Sequence, residues 1–198
     1  MCQPRAMTKA ARRYGGQSQE ARVQERREKL MRAAAALYGR LGPAGASVTA
    51  ICAEASLTPR YFYESFANRE ALLLAVFRAV CARLLDQIGA AIDPRDPAAS
   101  GVAAFFRLLG EHPDLARVFL VEAEHDDAEM RAVGRATMGA FADMLMPGGP
   151  DDLAKAGAIG AILRMARFWI EAECRRPADE VASLAQRFVA IGRDGRSV

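Results

Sequence analysis

The residues of this sequence best equipped to meet a polyanion stand together at positions 58–69: Thr58, Pro59, Arg60, Tyr61, Tyr63, Glu64 and Arg69, interleaved with Phe62 and Phe66. Phe62 and Phe66 are four apart, so on a helix they share one apolar face, and Thr58, Arg60, Tyr61 and Glu64 are then turned outward together. Arg60 has the planar fork that pairs with N7 and O6 of guanine, a contact that discriminates between bases by about 1–3 kcal/mol. Tyr63 offers a hydroxyl donor. Arg69 follows Asn68, a helix-capping residue, and so stands where exposed backbone N–H groups already favour an anion.

Other candidate chemistry is sparse. His112 and His125 are the only histidines, and Glu122, Glu124, Asp126, Asp127 and Glu129 cluster around the second. That grouping reads as a solvated inter-helix loop rather than a metal site, and no metal is expected. Cys2, Cys52, Cys81 and Cys174 lie far apart, without zinc-ligand pairing or the density of a disulfide framework, and are read as thiols. No nucleophile–base grouping and no glycine-rich phosphate loop stands out, so neither an enzyme nor a cofactor is expected.

The elements that must position the 58–69 segment are helical. Of 198 residues, 41 are alanine, and the β-branched runs that mark strands are missing. Residues 1–22 lack periodicity, carry Arg5, Lys9, Arg12 and Arg13, and hold Gly15-Gly16, which predicts a flexible basic arm. Order is expected from about Gln24, where Leu30, Ala34, Leu37, Tyr38 and Leu41 recur at helical spacing until Gly42-Pro43 stops the pattern. Ser47 can cap a short helix over 48–55. Thr58 can cap the next over 59–66, with Pro59 at its first position, where a missing N–H costs nothing. Asn68 caps a long helix running to about residue 92, and Asp93-Pro-Arg-Asp-Pro97 ends it. Further helices are predicted at 98–111, 114–124, 127–146, 151–174 and 178–192. The fold class is therefore all-α, about nine helices, with two short helices at 48–66 in helix-turn-helix dimensions.

Charge is divided along the chain. The net value is +3, but residues 1–70 carry +6 and residues 71–198 carry −3, as a polyanion-binding module joined to a different one would. The longest stretch without a charge, residues 41–53, is too short and too interrupted to span a bilayer, and no apolar run follows the N-terminal arginines as in a secretory signal. A cytoplasmic protein with no membrane partner is expected.

Arg26-Arg27-Glu28-Lys29-Leu30 through Leu37, Val48-Thr-Ala-Ile51, Leu57 to Phe66, and Asn68-Arg-Glu-Ala-Leu72 together resemble the DNA-binding domain of TetR/AcrR regulators, without gaps from Val48 to Leu72. The aromatic pair Tyr63 and Phe66 followed by Asn-Arg-Glu-Ala-Leu is the most specific part. The resemblance implies a helix-turn-helix domain over 23–70 and an effector-binding and dimerisation domain over 71–198. It implies DNA contacts from Ser47, Thr49, Thr58, Pro59, Arg60 and Tyr61, with Tyr63 and Arg69 gripping backbone phosphates. Three departures from the family pattern stand out: Ser56 where the turn commonly has glycine, Arg60 where a small residue is usual, and a longer N-terminal arm.

The same resemblance implies a ligand-responsive repressor that binds a palindromic double-stranded operator as a homodimer and is released by a small hydrophobic effector. The dimer would form through the last two helices, with Ile159, Ile162, Leu163, Ala166, Ile170, Leu184, Phe188 and Ile191 as the apolar surface. Phe105, Phe106, Leu109, Phe119, Phe141, Met144, Met165 and Trp169 would line the effector cavity, although core packing explains them equally well. A helical small-molecule-binding or scaffold protein without DNA binding is the alternative reading.

Overall fold

The computed structural model describes residues 19–122, 127–149 and 151–194; residues 1–18 of the arm expected over 1–22 and His125 lie outside the described residues, and residues 19–22, expected in that arm, are instead the first turn of α1. Among the described residues the chain forms nine helices and no strand: α1 Gln19–Gly45, α2 Val48–Glu54, α3 Pro59–Ser65, α4 Arg69–Ala91, α5 Pro97–Glu111, α6 Pro113–Glu122, α7 Ala128–Leu145, α8 Asp152–Glu171 and α9 Ala178–Asp194.

Side-chain caps set most helix starts. Ser47 accepts from the Ala50 N–H, Asn68 from Ala71, Asp96 from Ala99, Asp127 from Glu129 and Met130, and Asp151 from Leu153 and Ala154. Thr58 departs from expectation: its side chain makes no capping bond, and only its backbone carbonyl serves, accepting from the Tyr61 N–H at 3.0 Å. The helical run of α1 breaks where Gly42-Pro43 predicts, with Gly42 at φ 70°, ψ 162°, and one further turn follows the kink.

The turn between α2 and α3 bears on the first family departure. Ser56 adopts φ 53°, the left-handed conformation, and ends α2 in a Schellman arrangement in which Leu57 N–H donates to Cys52 O at 2.8 Å and Ser56 N–H to Ala53 O at 3.1 Å. A side chain in that region costs roughly 1–2 kcal/mol, whereas glycine loses about 0.5–1 kcal/mol of extra backbone entropy on folding. Ser56→Gly is therefore expected to stabilise the chain by about 0.5 kcal/mol, read as a small rise in urea midpoint; a drop would show that the serine side chain stabilises the turn.

Helices α1 to α3 form one small bundle, closed by Leu30, Ala34, Ile51, Phe62 and Phe66, and the first turns of α4 add Leu72, Val76 and Phe77 to the same apolar interior. The end of α1 lies against α6, and Gly39 is where they cross: a Cβ there would stand 2.2 Å from Asp114 Cβ. The larger bundle, α4 to α9, is centred on aromatic rings. Phe105 is fully buried, with ring centroids 5.4 Å from Phe106, 6.4 Å from Phe119 and 5.1 Å from Phe141. Trp169 packs on Phe106, and its indole N–H donates to Arg176 O at 2.8 Å, tying the end of α8 to the turn before α9.

The aromatic cluster corrects one expectation. Phe105, Phe106, Leu109, Phe119, Phe141 and Trp169 are buried against one another, and Met144 and Met165 are half-buried at the edge of the same core. Leu109 and Phe119 border a small niche of about 30 Å³. Most of these residues thus belong to the packed interior of the α4–α9 bundle.

The apolar surface expected on the last two helices is also redrawn. Ile159, Ile162, Ala166 and Ile170 face this chain's own core, with Ile162 and Ala166 fully buried; Leu163 and Leu184 are half-buried. The apolar residues exposed on these helices are instead Leu153 and Phe168 on α8 with Phe188 and Ile191 on α9. Among the described residues no helix is long and apolar enough to cross a membrane.

Candidate nucleic-acid interface

Packing decides which side of α3 is free. Phe62 is fully buried and Phe66 nearly so, in contact with each other at 6.1 Å between ring centroids. The opposite side exposes Thr58, Pro59 and Arg60 at the start of α3, with Ser47 and Thr49 exposed at the start of α2. The Arg60 side chain is 83% exposed, and its Nε donates to Glu64 Oε1 at 2.9 Å. Tyr63 is exposed and stands edge-on to Phe62.

Two expected contacts look different in three dimensions. Tyr61 is half-buried, because the Arg26 guanidinium lies 4.5 Å over its ring, so one face of the ring is covered from α1. Arg69 is not a free cation at the start of α4. Its half-buried guanidinium donates to Pro43 O at 2.7 Å, bracing the kink of α1 against the first turn of α4. That bond uses one nitrogen of the fork, and the remaining donors are geometrically separate from it.

Sequence reading missed Arg26 and Arg27 as positioning residues. Arg27 donates from Nη1 to Ser65 O at 2.7 Å and lies 4.1 Å over the Phe66 ring, while Arg26 covers Tyr61 and stands 3.9 Å from Glu64. Together they hold α3 to α1 through Ser65 O and the aromatic rings of Tyr61 and Phe66. Two adjacent arginines on a helix face that otherwise needs to be apolar were the available signal. Exposed ion pairs such as Arg40 with Glu54 at 3.2 Å add little.

The other titratable candidates are quiet. His112 Nε2 lies 3.2 Å from Arg83 Nη2, and no group of acidic, cysteine or histidine residues among the described residues could hold a metal. Cys52, Cys81 and Cys174 are free, and burial pushes each thiol up, against a hydrogen bond with Thr137 at Cys81 and the charge of Arg117 at Cys174. Raised thiols are poor nucleophiles at neutral pH.

An arginine-topped short helix, braced by a second and attached to a helical bundle, is the arrangement in which one helix enters the DNA major groove. Residues 30–76 match the family model described as bacterial regulatory proteins, tetR family. No curated protein matches the chain by sequence. Solved structures with a similar fold include a tetR-family transcriptional regulator from Streptomyces coelicolor, 17% identical, with TM-score 0.72 over 87% of this chain and 83% of that one. A TetR-like regulator from Rhodococcus sp. RHA1 is 20% identical, with TM-score 0.67 over 86% and 97%. FadR from Bacillus subtilis, solved in complex with stearoyl-CoA, is 18% identical, with TM-score 0.68 over 85% and 98%. Residues 30–76 thus carry the sequence pattern of the tetR-family helix-turn-helix domain, and most of the chain shares the all-helical fold of these solved regulators.

Proposed function

We propose that the chain is a ligand-responsive repressor that binds a palindromic operator as a homodimer and lets go when a small apolar effector occupies the α4–α9 bundle. The observation carrying the reading is the division of α3, with Phe62 and Phe66 buried and Thr58, Pro59 and Arg60 exposed at its start. Ser47, Thr49 and Tyr63 flank that edge and extend the same contact surface, with the uncovered face of Tyr61 beside them and the remaining donors of Arg69 available to a phosphate. One such helix reads only a few base pairs, so two copies are required, their recognition helices about 34 Å apart or a multiple of that. Leu153, Gly157 and Phe168 on α8 with Phe188 and Ile191 on α9 are the surface we assign to the second copy. The three large apolar side chains Leu153, Phe168 and Ile191 are each more than 60% exposed in the single chain, and a Cβ at Gly157 would meet nothing. The direction of control assigned here, repression, is the family's habit.

The experiment is binding to random and selected duplex DNA across a salt series. Affinity should fall steeply and linearly on logarithmic axes as counterions are released. Arg60→Ala should cost about 1–3 kcal/mol on the selected operator and flatten base preference at one position, with little change on random DNA. Absence of any salt-dependent DNA binding would instead leave a helical ligand-binding protein.

A further inference from the structure

A groove of about 780 Å³ runs between α7 and α8 beneath Leu120 of α6, within the range of about 300–1,000 Å³ usual for small-molecule sites. Its polarity is graded along its length. At the turn between the two helices, Lys155 Nζ pairs with Asp143 Oδ1 at 2.6 Å beside Asp152, so that end offers no free cation. The pair also fixes the antiparallel register of α7 and α8, and in that register Arg135 and Arg164 stand level with each other at the far end. At 1.5 Å per residue, the eight residues from Asp143 back to Arg135 place them about 12 Å from the ion pair. Between the two ends the walls are Met138, Ala142, Ile159 and Leu163, opened by Gly139 and Gly160.

Arg135, Arg164 and Arg167 line this groove, Arg164 at the edge it shares with the α8 stripe assigned to the second copy; neither Arg135 nor Arg164 has a hydrogen-bond or ion-pair partner among the described residues, whereas Arg167, like Arg107 and Arg176 on the same bundle, is paired with a glutamate four residues on. Two unpaired guanidiniums at one end of an apolar trough, with no free cation at the other, complement one ligand class: a short-chain amphiphile with an anionic head.

We propose that the α7–α8 groove binds such an amphiphile, its carboxylate or phosphate held between Arg135 and Arg164 and its alkyl body lying along Met138, Ile159 and Leu163. The inference rests on the effector-responsive reading above and names the effector's chemical class. Guanidinium is suited to either head, since both present paired oxygens to its fork.

Calorimetric titration of the full chain with decanoate, decyl phosphate and uncharged methyl decanoate tests it. The two anions should bind at least about tenfold more tightly than the ester, and the tighter of the two identifies the head group. The double variant Arg135→Gln, Arg164→Gln should remove that preference and leave ester binding unchanged. Equal affinity for ester and anions, or an anion preference that survives the double variant, overturns the proposal. It is overturned equally if no probe binds and Arg135→Glu, Arg164→Glu dissociates a dimer, for the groove is then occupied by a second copy. Duplex-DNA binding measured on the same preparations separates the two readings: its loss sinks the regulator, whereas unchanged DNA binding without anion preference sinks only the groove.

Discussion

Phe105→Ala is expected to lower the unfolding free energy of the chain by about 3–5 kcal/mol, read from the urea midpoint at unchanged slope. The phenyl ring is fully buried and meets three other rings, Phe106, Phe119 and Phe141. Rings collapse poorly into a void because each is held by its own neighbours, so most of the truncated volume stays empty and the loss of contacts adds to the lost transfer energy. Folded domains are stable by about 5–15 kcal/mol in total, so the variant gives up a large share of its margin. A residue lining an open ligand cavity would behave otherwise: its truncation would cost under about 1 kcal/mol, because its contacts are few to begin with. Such a small loss would restore the cavity reading that the packed rings displace. Phe168→Ala offers the contrast, since a side chain 69% exposed has little packing within its own chain to lose.

What the sequence makes legible follows from which interactions are local. Helix starts were readable at Ser47 and Asn68 because a cap bonds to an N–H three residues on, Ala50 and Ala71, and the side of α3 was readable because Phe62 and Phe66 repeat at the helical period. The departures begin where partners are distant. Arg69 reads as a free cation at a helix N-terminus, yet its bond goes to Pro43, which only the kink of α1 brings within reach. The stripe Ile159, Ile162, Ala166 and Ile170 announces a buried face without saying what buries it, and in this fold the answer is the chain's own core. Periodicity likewise marks Phe105 and Phe119 as interior but carries no information on whether the space around them is filled. The α7–α8 groove was illegible for a related reason: Arg135 and Arg164 are 29 positions apart, and only the antiparallel register of their helices sets them level.

Gly39→Ala is expected to destabilise the chain by about 2 kcal/mol and to weaken operator binding beyond what that loss explains. Gly39 is buried on α1 where it crosses α6, and a Cβ there would fall 2.2 Å from Asp114 Cβ and 2.6 Å from Asp114 Cα. The second of these is backbone, so no rotamer change relieves the clash and the two helices must part. Overpacking of this kind costs about 1–3 kcal/mol, against a gain of up to about 1 kcal/mol from the better helix propensity of alanine. The displaced element is the one that holds α3 through Arg26 and Arg27 and meets Arg69 of α4 through Pro43 O, so moving α1 off α6 tilts the recognition helix relative to the bundle. An effector can alter DNA affinity only if it favours one of two such arrangements. A variant already pushed toward one of them should therefore bind operator more weakly and respond less to effector. Gly139→Ala is the matched control for stability: a Cβ on that exposed residue of α7 meets nothing within 4 Å, so it should gain about 0.5–1 kcal/mol from helix propensity. Equal behaviour of the two variants would mean that the α1–α6 crossing is loose, and coupling between sensor and reader would then have to pass along α4 alone.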